Sequence, residues 1–190
     1  MSSFEFIFTL FGLVMGLALT EVLGGFARAV KRHGPARLGL LTPVVSLFML
    51  YEITDFWSDA WEVRDQLPTG MPTLLISVVI TGLYYFASVL VWPEEGDAAW
   101  DDLDGWMLGQ KRQLLLSVFA SNVVTVAGLS AIGQGQSAFT PTPFAIGWMA
   151  LYFGLLLAAA FAPGRRLTLI ALALVLAMYA TALAMQLAGG

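Results

Sequence analysis

Four carboxylates share one face of one apolar run. Glu52, Asp55, Asp59 and Glu62 follow an i, i+3, i+7, i+10 spacing, which an α-helix places in a single row. Carboxylates in such a row can bind protons or cations. A rise of about 1.5 Å per residue sets Glu52 and Glu62 about 15 Å apart along the axis, too far to chelate one ion. Neighbouring pairs could share a proton or a cation, so the row reads as a graded path. A charge near the centre of a bilayer costs about 2.5–3.5 kcal/mol on insertion scales. Glu52 and Asp55 therefore have to face a bundle interior or a wet vestibule. Asp59 and Glu62 sit nearer the boundary, where snorkelling and pairing with Arg64 is the plainer role. Glu5, at the end of the first apolar run, joins this cluster if the first two runs form a hairpin. Glu21, at the other end of that run, either pairs with Arg28 or Arg112 or serves as the inner station of the path.

A second set lies at mid-depth. Counting from the ends of the runs puts Tyr84, Tyr85, Asn122, Tyr152 and Tyr179 at one level. A buried amide in hydrocarbon needs partners, and tyrosines ordinarily favour the interface. Together they predict a polar layer across the bundle. Its plain version is interhelical hydrogen bonding, worth about 0.6 kcal/mol per bond. Its functional version is a constriction or ligand site on the ion path.

These residues are positioned by a strongly apolar chain. Of its 190 residues 58% are hydrophobic and 12% charged, with a mean hydropathy of +0.80, whereas soluble domains carry roughly 25% charged residues. The reading is all-α: a six-helix transmembrane bundle forming one domain over 1–190. The spans fall at about 4–27, 38–59, 73–92, 113–132, 144–162 and 167–187, with an acidic loop at 93–110. No proline falls in the middle of a span, so broken transporter-type helices are not signalled. In the acidic loop Trp100, Leu103 and Met107 form one apolar stripe, which predicts a short helix lying on the interface.

Basic residues alternate between loops. Arg28, Lys31, Arg32 and Arg37 follow the first span, Lys111 and Arg112 precede the fourth, and Arg165 and Arg166 precede the sixth. Arg64 alone breaks the pattern. Loops rich in Lys and Arg stay cytoplasmic, so both termini are expected outside, which in a bacterial inner membrane is the periplasm. The first run has no basic n-region or cleavage site of the kind a signal peptide carries.

Gly12, Gly16, Thr20 and Gly24 recur every four residues in the first span, a spacing that lets helices approach closely. Shorter stripes are Ser117, Ser121, Thr125 and Ala150, Gly154, Ala158. Such faces pack within the bundle or against a homo-oligomeric or other membrane partner.

Several chemistries lack their residues. There is no cysteine and a single histidine, His33, which removes disulfides, thiolate chemistry and a His-rich metal site. No zincin motif, nucleophile elbow or phosphate-binding glycine loop is present. No metal, cofactor or nucleic acid is expected. The readings that remain are a cation or proton channel or transporter subunit, using Glu52, Asp55, Asp59, Glu21, Asn122 and Tyr85, and a non-catalytic accessory subunit docking through Gly12, Gly16 and Trp100. A lipid-headgroup enzyme at Glu52 and Asp55 has the least behind it. The topology is directly testable: epitope tags on either terminus should be labelled from outside intact cells, and protection of either tag would reverse the orientation.

Overall fold

The computed structural model describes residues 3–33, 39–65, 67–68, 70–133 and 142–189. Arg37 and the side chains of Glu5 and His33 lie outside the described residues. The described chain is all-helical: α1 (Ser3–His33), α2 (Leu41–Glu62), α3 (Met71–Val89), α4 (Leu103–Gly133), α5 (Pro143–Phe161) and α6 (Arg165–Gly189), with a 3-10 turn at Ala98–Asp101. Pro72 and Pro143 occupy first helical turns, where a missing N–H costs nothing. Thr142 caps α5 by accepting the Ala145 N–H at 3.2 Å.

Five segments are long and apolar enough to cross a membrane: Phe8–Arg32, Met71–Val89, Leu103–Ala131, Pro143–Phe161 and Arg165–Ala188. Their outward faces carry large apolar side chains, among them Leu13, Leu17, Val79, Leu151, Ile170 and Leu174. A surface this apolar calls for lipid as its solvent. The helix expected as the second of six spans is the exception. At 22 residues α2 is long enough, but its acidic row lowers its apolarity.

Packing resolves that conflict. The helices form a ring in the order α2, α1, α3, α4, α5, α6, which closes back on α2, and α2 also reaches inward to α4. Leu41, Val45, Phe48, Met49, Ile53 and Phe56 of α2 are all buried. The one long helix without a sufficiently apolar stretch to count as a span is thus the most enclosed.

One end of the ring gathers the basic residues. The Asp104 carboxylate accepts the Leu41 N–H at 2.9 Å and pairs with Arg165 at 2.8 Å. It thereby caps α2, begins α4 and holds the start of α6. Gly39 precedes it at φ +64°, and a Cβ there would run into Asp104. The Lys111 Nζ donates to the Ala162 carbonyl at 2.6 Å, the Ala159 carbonyl at 3.2 Å and the Thr168 hydroxyl at 2.7 Å. A cation at the C-terminus of α5 also suits the helix dipole.

The acidic loop differs from expectation. Residues 103–110 are the first turns of α4, and Trp100, Leu103 and Met107 are buried in the core. The same apolar stripe that would suit an interface is covered by neighbouring helices. The indole of Trp92 donates to the Val22 carbonyl at 3.1 Å, stacks on Trp100 and lies flat against Gly25.

The small-residue stripes divide. Gly12 faces Trp57, with a Cβ placed 2.8 Å from the indole, whereas nothing lies within 4 Å of a Cβ at Gly16 and Thr20 is exposed. Gly24 has only the Arg28 side chain near it; the close approach is at Gly25. Ser121 bonds to the Ile80 carbonyl across α3 and α4 at 3.2 Å, while Ala150, Gly154 and Ala158 face outward.

Replacing Gly25 by Ala should therefore overpack the Trp92 contact and cost about 1–3 kcal/mol. Gly24→Ala should be close to neutral. Thermal unfolding of the two variants in detergent decides this.

Candidate functional site

Glu52 is the most enclosed acid described in the chain, 3% exposed, and it projects from α2 toward the middle of the ring. Four other helices each send one side chain to it. Tyr152 of α5 donates to Oε1 at 2.5 Å, and Tyr179 of α6 donates to the same oxygen. Tyr84 of α3 reaches Oε2 at 3.2 Å, and Asn122 Nδ2 of α4 donates to Oε2 at 3.1 Å. Two donors meet each oxygen, which fills the roughly four lone-pair positions of a carboxylate. Among the described residues no Lys or Arg pairs with it. Bonds to a charged acceptor contribute about 1.5–3 kcal/mol each, and they offset part of the cost of burying an acid at this depth.

The cage has internal bonds too. Asn122 Nδ2 donates to the Tyr152 hydroxyl at 2.8 Å, and the Tyr84 hydroxyl lies 3.1 Å from Asn122 Oδ1. Tyr84 therefore has two acceptors within reach, Glu52 Oε2 and Asn122 Oδ1. This choice matters chemically. With Glu52 ionised, the Tyr84 proton points at Oε2. With Glu52 protonated on Oε2, that new O–H can donate to the Tyr84 oxygen while the Tyr84 proton turns to Asn122. Rotation about one C–O bond keeps Glu52 and Tyr84 partnered in either state, and the Asn122 carbonyl gains the Tyr84 proton when Glu52 is protonated.

A cavity of about 270 Å³ opens onto the cage, lined also by Asp55, Asp59, Thr125, Trp148 and Met178. Its walls lead toward the acidic end of α2. Tyr51, one turn before Asp55, stacks on Tyr179 with ring centroids 3.9 Å apart. Toward the basic end the cage is sealed. One turn further along each helix stand Met49, Ser88, Val118, Leu156 and Val175, all buried. All but Ser88 are apolar, and the Ser88 hydroxyl is buried with no hydrogen-bond partner among the described residues. The cavity thus reaches Glu52 from one side only.

The expected site residues separate accordingly. Glu52, Asp55, Asp59 and Asn122 share one cavity. Tyr84, Tyr152 and Tyr179 join them, whereas Tyr85 is 37% exposed on the outside of α3. One residue along a helix is a turn of about 100°, so only one of two adjacent tyrosines can face inward. Glu21 stands apart from the cage, half-buried on α1, and among the described residues no ion pair joins it to Arg28 or Arg112. Arg112 instead lies 4.8 Å over the Phe161 ring. Arg64 does not pair with Asp59 or Glu62: its guanidinium meets Asp65 at 3.5 Å and covers the Trp61 ring at 4.7 Å. The described residues hold no group of three or more His, Cys, Asp or Glu suited to a metal ion.

Comparison with protein-family models, curated proteins and solved structures gives no match.

The cage makes a stability prediction. Glu52→Leu leaves up to three part-buried donors, those of Asn122, Tyr152 and Tyr179, without an acceptor, at about 1–3 kcal/mol each, and should lower the unfolding temperature sharply. Glu52→Gln keeps one acceptor oxygen and should lose less than half as much. Equal stability of both variants with the parent, measured by thermal unfolding in detergent, would show that the cage contributes nothing.

Proposed function

We propose that this chain is a multi-pass membrane protein that moves a proton or a small cation, with Glu52 as its buried binding station. The observation that carries this reading is the carboxylate cage, in which both Glu52 oxygens have polar partners placed to serve the carboxylate and the protonated acid alike. A purely structural cluster has no need of such a rotor. The cavity supplies the approach: Asp59 and Asp55 attract a cation or relay a proton, and Glu52 receives it. In this reading α2 is the sixth crossing, shielded from lipid by its place in the ring. The basic end lies in the cytoplasm by the distribution of Lys and Arg, so the cavity opens outward.

The apolar layer beneath the cage means that ions cannot pass straight through in this conformation. Transport then requires alternating access, in which helices on one side of Glu52 shift to open the layer of Met49, Val118, Leu156 and Val175. Glu21 lies beyond that layer and is at most a late station. The accessory-subunit reading has less support, because Gly12 and Trp100 are used in contacts within the chain. Gly16 and Thr20 are the part of that stripe still open to a partner.

Purified protein in liposomes, loaded with a pH-sensitive dye and given an imposed potential, tests the proposal. The parent should carry protons, Glu52→Gln should reduce the rate at least tenfold, and Tyr84→Phe should slow it by removing the rotor. Flux unchanged in Glu52→Gln would overturn the proposal.

A further inference from the structure

A second cavity adjoins the first. It measures about 550 Å³ and is walled by Phe8, Phe11, Phe56, Ile76, Ile80 and Leu129, from four helices. Its volume falls within the roughly 300–1,000 Å³ of small-molecule pockets. A proton or a metal cation needs no such space. Phe56, Asp59 and Thr125 line both cavities, so the apolar chamber and the acidic vestibule share a wall.

The charge on that wall is one-sided. Among the described residues Asp59 is the only ionisable one lining the larger chamber, and Asp55 and Glu52 line the vestibule beyond it. Among the described residues neither cavity is lined by Lys, Arg or His. Arg64, the sole basic residue of the sequence outside the basic loops, is engaged with Asp65 and Trp61. A lipid phosphate placed here would meet carboxylate. A cation would meet Asp59 on one side and the aromatic side chains of Phe8, Phe11 and Phe56 on the other.

We propose that the two cavities form one binding site for an amphipathic organic cation, with its apolar body in the chamber and its positive centre at Asp59. This names the substrate class for the transport reading above and rests on it. Exchange between that cation and a proton on Glu52 would then occur across the shared wall.

Two ions of matching shape and opposite charge provide the test. Full-length protein in nanodiscs is titrated with tetraphenylphosphonium and with tetraphenylborate, and binding is read by equilibrium dialysis. Saturable binding of the phosphonium but not the borate is expected. Asp59→Asn should weaken phosphonium binding at least tenfold. Gly128→Phe should do so by filling the chamber, since Gly128 lines it and nothing lies within 4 Å of a Cβ there. Equal uptake of both ions, the behaviour of a lipid-filled crevice, overturns the proposal, as does phosphonium binding unchanged in both variants. The outcomes separate it from the transport reading. Glu52-dependent proton flux without phosphonium binding removes this proposal alone. Asp59-dependent phosphonium binding without Glu52-dependent flux keeps the binding site and removes the transport step.

Discussion

A carboxylate enclosed by a lipid-solvated bundle must find all its hydrogen-bond donors within the protein, and meeting that demand at Glu52 organises the whole fold. Four donors from four helices converge on one side chain of a fifth. No pair of neighbouring helices could supply them. The ring has to close around α2 for Tyr179 and Tyr84 to reach the same acid. Hydrophobic burial gives little direction among helices whose alternative solvent is equally apolar. Directional bonds to a single acceptor supply register and rotation instead.

The two ends of the ring are held by different chemistry. At the basic end Asp104 and Lys111 make backbone contacts that fix where α2 starts and where α5 stops. Trp92 fills the space that Gly25 leaves open. At the acidic end the walls separate into two adjoining cavities, where among the described residues Glu52, Asp55 and Asp59 have no basic partner. Rigidity at one end and open space at the other suit a site that is reached from a single side.

Much of this was legible in the residues. The i, i+3, i+7 spacing put Glu52, Asp55 and Asp59 on one face, and they do share one cavity. Asn122 and the tyrosines were readable as a polar layer because their depth follows from counting along apolar runs. Their convergence on Glu52 was not, since depth carries no information about rotation. Tyr84 and Tyr85 are equivalent by that count, and only packing selects between them. Leu103 to Gln110 misled because an apolar stripe looks the same whether lipid or another helix covers it. The larger cavity left no trace in the sequence: it is a gap between helices, and its wall residues are ordinary core types. The partner of Arg64 was equally hidden, because a long flexible side chain can reach several carboxylates.

The order of synthesis gives the enclosure of α2 a further consequence. Glu52 emerges from the ribosome 127 residues before Tyr179, and at about 5–20 residues per second that interval lasts about 6–25 s. Tyr84, Asn122 and Tyr152 appear in turn during it, and the acid lacks its last donor until the end. The second helix must therefore wait beside the insertion machinery, or pair early with α1, until the last hydroxyl arrives. Biogenesis of this protein ends with the closing of a circle rather than with the addition of one more hairpin.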